Sequence, residues 1–218
     1  MTPIRLIIFD FDGTLINSEP GILESIKLTV DALALPQETV EQWRQMIGIP
    51  LSVQLAKLLP PERQQEVEYG VETYRNFYRQ VGMAHSNPFA GIPELINFLT
   101  PRTALAIASS KGYEGLSRVL TGLDWLDYFD PIISPASVTN PKPHPESIQL
   151  ALQHYGLTPE QAVMIGDTEY DMEMALRAGV PAWGAGWGVH KKEQLLNAGA
   201  NHWFARPGDL LTHVKEVF

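Results

Sequence analysis

The sequence predicts an α/β fold, a doubly wound, Rossmann-like parallel sheet with a small helical domain inserted after the first strand. Three observations predict it. Short apolar runs recur along the chain, as the buried strands of a parallel sheet do. Helical patterns separate most of these runs. Residues 17–85 carry helical patterns only, so we expect the insertion there and the core in residues 1–16 and 86–218.

Six apolar runs are the strand candidates. The first, residues 4–9, has the length and branching of a strand buried on both faces. The others, in chain order, are residues 103–108, 131–133, 162–165, 180–183 and a weaker edge candidate at 202–204. Helical patterns lie between the third and fourth strands of this set and after the fourth, so the strands are expected to run parallel.

The insertion is expected to consist of helices that pack on one another. Pro50 and the pair Pro60-Pro61 interrupt the helical pattern, because proline breaks a helix interior. We interpret the tyrosine and valine positions of the second stripe as helix–helix core rather than as a ligand site. Two apolar stripes at helical spacing carry this prediction: Ile22, Ile26, Val30 and Leu33, then Val67, Val71, Tyr74, Tyr78 and Val81.

Composition excludes several classes of protein. The chain has 218 residues, 44% of them hydrophobic and 19% charged, as in soluble globular proteins. A net charge of −9 argues against nucleic-acid binding, and no apolar run has the length of a membrane span. The absence of cysteine and of a signal-peptide pattern favours the cytoplasm. Oligomeric state stays open between a monomer and a homodimer.

Two carboxylates leave the end of the first predicted strand. Asp10 and Asp12 are separated by one residue, and Gly13 permits a sharp turn directly after them. Ligands of open parallel sheets bind outside the carboxyl ends of the strands, so the pair lies where chemistry is expected. The same residues also resemble part of a calcium loop, but the glutamate that such a loop needs at its twelfth position is missing.

Three later strand ends carry further polar residues. Ser109 and Ser110 follow the second strand at a predicted helix start, where free N–H groups attract anions. Lys142 lies in a loop that alternating prolines stiffen, and we expect it to meet an anion there. Asp167 and Asp171 follow the fourth strand, which adds two acids to the same sheet edge.

Taken in order, these motifs resemble the haloacid dehalogenase superfamily of phosphatases, in the branch with a helical cap after the first strand. The resemblance runs through the whole chain and is greatest to phosphoglycolate phosphatase-like hydrolases. The segments that carry it are residues 10–14, Ser109, Lys142 with residues 143–146, and residues 164–167 with Asp171, together with Gly21-Ile22, residues 48–51 and residues 88–92.

The resemblance implies hydrolysis of a small phosphate monoester through an aspartyl-phosphate. Asp10 is expected to be the nucleophile. Asp12 is expected to protonate the leaving oxygen and then to activate water. Ser109 and Lys142 are expected to bind the phosphoryl oxygens, and Lys142 also to restrain Asp10. Ser110 and Gly13 complete the expected substrate-binding set.

The resemblance also implies a Mg²⁺ cofactor. Its expected ligands are Asp10, the main-chain carbonyl of Asp12, and Asp167, because Mg²⁺ prefers oxygen. Asp171 belongs to the same expected metal site, where it is more plausible as a residue that orients a water on the metal than as a direct ligand.

Other activities of the same superfamily stay open as alternatives. Asp12 argues against a dehalogenase. A sugar-phosphate mutase ranks below a hydrolase, because Ile22 stands where mutases typically carry histidine and residues 48–52 contain no arginine. A nucleotidase, a pyrophosphatase and a non-catalytic phosphate-binding protein are the remaining possibilities. Ser109-Ser110, where phosphoglycolate phosphatases often carry Thr-Asn, leaves the substrate open.

Two further features concern substrate selection. Arg44, Gln54 and Lys57 are candidate contacts from the insertion to the leaving group, although we expect Lys57 to be surface. The glycine-rich residues 184–188 match a dinucleotide-binding loop poorly, because the glycine spacing is wrong and no helix pattern starts there. A flexible loop at the rim of the site is the preferred interpretation.

Overall fold

The computed structural model describes residues 3–218 and shows a six-stranded parallel sheet with a separate two-stranded antiparallel ladder. The strands are β1 Leu6–Phe9, β2 Ile16–Asn17, β3 Asn87–Pro88, β4 Ala104–Ala108, β5 Ile132–Ile133, β6 Ala162–Gly166, β7 Ala182–Ala185 and β8 His202–Phe204. The sheet order is β5-β4-β1-β6-β7-β8. Later strands are added on one side of β1 and then on the other, while all six strands stay parallel. The predicted α/β class and doubly wound parallel sheet are confirmed.

Helices cover both faces of the sheet and fill the insertion. The α-helices are α1 Glu19–Ala32, α2 Thr39–Arg44, α3 Leu51–Leu58, α4 Val67–Phe77, α5 Ile92–Leu99, α6 Tyr113–Gly122, α7 Glu146–Tyr155, α8 Glu169–Ala178, α9 Lys192–Asn197 and α10 Pro207–Val217. A π-helical turn, Tyr78–Gly82, continues α4. Short 3₁₀ segments are Pro61–Glu66, Met83–His85, Leu126–Tyr128, Pro135–Ser137 and Pro159–Gln161.

Strand β1 lies at the centre of the sheet and has no solvent-exposed side chain. Its last residue, Phe9, is in register with Ile107 of β4 and Ile165 of β6, and both neighbours continue one residue farther, so the three strands end within one residue of the same level. The fifth predicted strand, residues 180–183, stops two residues before the end of the observed strand β7. Strand β7 extends through Gly184 and Ala185, which the sequence assigned to a loop, because both residues pair with β8.

The two faces of the sheet carry separate hydrophobic clusters. Helices α5, α6 and α10 pack on the face that presents Phe9, and α7, α8 and α9 on the face that presents Ile8. This two-sided burial explains the uninterrupted apolar runs, since each strand places successive side chains on opposite faces. The arrangement fixes the carboxyl ends of the strands as one rigid edge.

Residues 18–86 form the helical insertion, which has its own hydrophobic cluster. Within residues 3–218 the chain leaves the core at β2 and returns at β3, and these two strands pair with each other through Ile16 and Pro88. The first predicted stripe is buried there as expected. Independent folding of two domains, with boundaries at residues 17 and 85, stays a prediction. None of the helices found in residues 3–218 combines the length and apolarity needed to cross a bilayer.

Candidate active site

The parallel strands bring the predicted site residues to one edge of the sheet. Asp10 and Asp12 follow β1, Ser109 follows β4, and Asp167 follows β6. The three strands are hydrogen-bonded neighbours, so their first following residues lie side by side. Asp10, Ser109 and Asp167 are buried, and Asp12 is partly exposed toward a cavity.

Lys142 is buried between the carboxylates of Asp10 and Asp171. Its Nζ donates to Asp10 Oδ1 at 2.8 Å and to Asp171 Oδ1 at 2.6 Å. Burial lowers the pKa of Lys142, but the charges of Asp10 and Asp171 raise it by more, so the ammonium stays protonated. The expected pairing of Lys142 with Asp10 is present, and its side chain is only 3% exposed.

Asp171, in the first turn of α8, accepts the second hydrogen bond of Lys142 and fixes its position. Its second oxygen, Oδ2, accepts hydrogen bonds from the Thr168 N–H at 3.1 Å and from the Thr168 hydroxyl at 2.7 Å. This is a capping box in which the third helical residue holds the N-cap. Gly166 permits the close approach, because a Cβ there would overlap Asp171. Asp171 therefore anchors both the helix and the lysine.

The carboxylate of Asp167 is held by donors from two segments. Its Oδ1 accepts from the Thr14 hydroxyl at 2.7 Å, and its Oδ2 accepts from the Val189 N–H at 2.8 Å. Gly13 has φ +85°, and a Cβ there would overlap the Asp167 carboxylate. The Gly13 N–H donates to Ile16 O at 2.8 Å. Gly13 therefore provides room for Asp167, and its predicted part in substrate binding stays a prediction.

Three of the four predicted metal residues form a cluster that suits a divalent cation. Asp10, Asp167 and Asp171 each offer a buried carboxylate oxygen, and these oxygens lie within 4.8 Å of one another. Burial raises the pKa of Asp10 from 3.8 to about 7, an effect that Lys142 partly opposes. Burial, together with the charges of Asp10 and Asp171, raises the pKa of Asp167 well above its usual value. A divalent cation would relieve this repulsion.

The carboxylate of Asp12 lies outside that cluster. Both of its oxygens contact Lys111 instead, at 3.1 and 3.2 Å. A ligand role for Asp12 therefore depends on its main-chain carbonyl, as the resemblance implies. The Asp12 side chain lines the cavity and is held there by Lys111.

Thermal unfolding should reveal the cation site. Because the folded-state pKa of Asp10 is raised, its contribution to stability is complete below pH 3.8 and is lost as the pH rises through about 7. Mg²⁺ binds the ionised carboxylates, so we expect it to raise Tm more at about pH 8 than at about pH 5. Differential scanning fluorimetry after chelation, with and without Mg²⁺, measures both shifts. A gain that is equal at both pH values would contradict a site that contains Asp10.

A cavity of about 610 Å³ separates the sheet edge from the insertion. Hydrogen bonds join the two sides of the cavity. Among them, Ser110 Oγ donates to Gly48 O at 2.7 Å, and Lys111 Nζ donates to the Tyr78 hydroxyl oxygen at 2.8 Å. The Ser110 hydroxyl proton is thus engaged with the insertion, and the predicted role of Ser110 in substrate binding stays a prediction. The interpretation of Tyr78 as core was also incomplete, since its hydroxyl reaches the site.

Lys111 is a cation of the site to which the sequence interpretation gave no role. It is 12% exposed, although it follows two serines at a helix start, where lysines are usually solvated. Burial lowers its pKa, but the Asp12 charge and Tyr78 raise it by more. Its position three residues after the end of β4 was the only signal in the sequence.

Two of the three candidate contacts from the insertion have other partners. Gln54 accepts from Trp43 Nε1 and donates to Ile49 O, both at 2.6 Å, so it fixes the turn that faces the cavity. Arg44 pairs with Glu19 at 2.8 Å. Lys57 is exposed, as expected. Gln54 lines the cavity with its amide already engaged, whereas Arg44 and Lys57 are not among the residues that line it.

Residues 184–188 lie against the site. Trp187 Nε1 donates to Thr14 O at 2.9 Å, and Gly188 leaves room for Asp167. The segment therefore buttresses the turn after β1, instead of forming the flexible rim loop that the sequence predicted.

Comparison with known proteins identifies a family match over most of the chain. The family model for haloacid dehalogenase-like hydrolases matches residues 7–185. A probable phosphatase, IndB, from Dickeya dadantii is 33% identical over 88% of this chain and 86% of its own length. A phosphoglycolate phosphatase from Aquifex aeolicus is 30% identical over 95% of both chains.

The relatives do not all carry the name of the same substrate. The pyrophosphatase PpaX of Listeria welshimeri is 31% identical over 98% of this chain and 97% of its own length. A solved hydrolase from Streptococcus pneumoniae, described as haloacid dehalogenase-like, superposes with a TM-score of 0.84 at 30% identity. It covers 98% of this chain, and all of that chain is matched.

Proposed function

The chain belongs to the haloacid dehalogenase-like hydrolase family and is a phosphatase of that family, and we propose that it hydrolyses a small phosphate monoester through an aspartyl-phosphate. One observation carries the proposal. Asp10 is a buried carboxylate at a strand end, paired with Lys142 and clustered with two further acids. A nucleophile, a fixed cation and a metal-competent acid cluster in one place are what phosphoryl transfer requires.

The first half-reaction moves the phosphoryl group to Asp10. An Asp10 oxygen forms a bond to phosphorus, and the bond between phosphorus and the leaving oxygen breaks. The leaving oxygen keeps that electron pair and takes a proton from the Asp12 carboxyl group. Lys142 is held at Asp10 by Asp171 and stabilises negative charge on the transferring group.

The second half-reaction restores the enzyme. Asp12, now a carboxylate, takes a proton from water as the water oxygen bonds to phosphorus. The bond between Asp10 and phosphorus breaks, its electron pair returns to Asp10, and inorganic phosphate leaves. Ser109, which is buried directly after β4, binds a phosphoryl oxygen in this proposal.

Mg²⁺ is the proposed cofactor, held by Asp10, Asp167 and the main-chain carbonyl of Asp12. When bound, it neutralises charge on the phosphoryl oxygens and favours the ionised form of Asp10. Asp171 already has both oxygens engaged, by Lys142 and by Thr168, which supports an indirect role in the metal site.

Cavity size favours a leaving group larger than glycolate. The cavity measures about 610 Å³ while Ser110 and Lys111 both bridge to the insertion. Cavities that enclose a whole drug-sized ligand measure ~300–1,000 Å³. Tyr74 and Tyr78, whose rings stack 6.0 Å apart, line the wall beyond the acids. Arg75 lines the same wall and, within residues 3–218, forms no ion pair.

We therefore expect larger phosphate esters to be better substrates than phosphoglycolate. A panel of phosphoglycolate, glycerol phosphates, sugar phosphates, nucleoside 5′-monophosphates and inorganic pyrophosphate, assayed for released phosphate, tests this. We expect kcat/KM at least about tenfold higher for the best of the larger monoesters, one extra favourable contact region being enough for that ratio. Activity should disappear on exhaustive chelation and return with Mg²⁺.

The panel separates the proposal from its alternatives. If phosphoglycolate has the highest kcat/KM, the argument from cavity size is wrong, but the proposal that the protein hydrolyses a phosphate monoester still holds. If pyrophosphate has the highest kcat/KM, the protein is a pyrophosphatase. Phosphotransfer from a sugar bisphosphate to a sugar phosphate, without released phosphate, would indicate a mutase. Unchanged rates after chelation would remove the metal from the mechanism.

A further inference from the structure

Lys111 connects the proposed acid–base residue with the helical insertion. Its Nζ donates to both carboxylate oxygens of Asp12, at 3.1 and 3.2 Å, and to the phenol oxygen of Tyr78, at 2.8 Å. The side chains of Lys111 and Asp12 are 12% and 17% exposed. Asp12 follows β1, whereas Tyr78 belongs to the insertion, so this chain of hydrogen bonds crosses from the core to the insertion.

The position of the Lys111 ammonium is fixed from several sides. Gly115 of α6 leaves room for the lysine stem, since a Cβ there would lie 3.2 Å from its Cε. The ammonium also lies 4.2 Å from the centre of the Tyr78 ring, a favourable cation–π distance. The Tyr78 hydroxyl is in turn 3.0 Å from Ser86 Oγ. Such a restrained cation can determine where its anionic partner points.

Asp12 is separated from the other acids of the site by this contact. Asp10, Asp167 and Asp171 converge, but the Asp12 side chain faces the cavity. A carboxylate free to rotate at this sheet edge would be attracted by a divalent cation. Lys111 holds it instead on the side that faces the cavity.

We infer that Lys111 is a positioning residue that directs the Asp12 carboxyl group toward the leaving oxygen, and that Tyr78 makes this orientation depend on the insertion being seated on the core. The inference rests on the proposed function. The step it serves is proton transfer from Asp12 to the leaving oxygen as that oxygen takes the electron pair of the breaking P–O bond. An alkoxide needs this proton, whereas a nitrophenolate, stable as an anion, needs it little.

Leaving-group dependence tests the inference. Lys111→Met should lower kcat/KM for glycerol 2-phosphate by at least about tenfold more than for p-nitrophenyl phosphate, within the usual worth of general acid catalysis. The ratio kcat/KM covers the steps through phosphoryl transfer to Asp10. Asp12→Asn should give the same pattern with a larger difference, and adding Lys111→Met to it should change the ratio no further. Lys111→Arg should recover part of the loss. Lys57→Met, an exposed lysine of the insertion, should leave both rates unchanged.

Tyr78→Phe tests the link to the insertion, because it removes the hydroxyl and keeps the ring. We expect a smaller loss, again greater for glycerol 2-phosphate. Equal losses on both esters, or none, in Lys111→Met would overturn the positioning role, and an unchanged ratio in Tyr78→Phe would overturn the link. If Lys111→Met fails to fold, Lys111→Arg and Tyr78→Phe decide the matter by the same ratio. Retained turnover in Asp10→Asn would instead contradict the proposed function itself.

Discussion

Asp10→Asn should lower phosphatase turnover to less than about a thousandth of wild type and leave the fold intact, since an amide oxygen is a far weaker nucleophile than a carboxylate. Folding should survive because Lys142 keeps its 2.6 Å hydrogen bond to Asp171. The substitution also removes one buried charge from a crowded acid cluster. Initial rates on the best substrate of the panel, together with a melting curve, measure both effects.

A matched substitution controls for the change of charge. Asp124 is exposed and has φ 57°, a conformation that asparagine also adopts readily. Asp124→Asn should therefore keep full activity and the wild-type Tm. Rapid quenching of the wild-type enzyme should yield a phosphorylated peptide that contains Asp10. Turnover above about a hundredth of wild type in Asp10→Asn, in protein free of contaminating enzyme, would exclude Asp10 as the nucleophile.

The sheet and the acids at its edge could be predicted because their signals are local. A buried parallel strand requires an uninterrupted apolar run, and the residue after it reaches the sheet edge whatever the rest of the fold does. Asp10 and Asp167 were found in this way. The exact strand ends were less predictable, because pairing with a neighbour, as at Gly184 of β7, can extend a strand through small residues.

Most contacts that organise the site could not be predicted from local patterns, because they join distant parts of the chain. The pairing of Lys142 with Asp10 was expected only through the family resemblance. Lys111 pairs with a residue 99 positions away, and Trp187 donates to one 173 positions away. Nothing near either residue in the sequence indicates its partner. Periodicity also failed to separate a core side chain from one that lines a cavity, since Tyr78 satisfies both descriptions.

Lys142→Met should reduce both turnover and stability. The variant retains the length of the side chain but removes the ammonium that pairs with Asp10 and Asp171. Loss of one preorganised charge at the transferring group lowers kcat by roughly 10²–10³-fold. Removing one member of a buried ion-pair network destabilises a fold by roughly 3–5 kcal/mol, because the remaining charges lose their partner. Chemical denaturation in the presence of chelator measures the second effect.

A double variant separates the two roles of Lys142. Asp171→Asn keeps an oxygen for the Thr168 cap and removes one of the two unpaired charges that Lys142→Met leaves behind. The combination should therefore recover part of the lost unfolding free energy but none of the turnover. Lys57→Met, at an exposed position, should change neither quantity. If turnover returned together with stability, Lys142 would serve only to neutralise the acid cluster; if both stayed low, the destabilisation would have a source other than the unpaired carboxylates. Recovery of stability alone would show that the lysine acts on the phosphoryl group as well as on the fold.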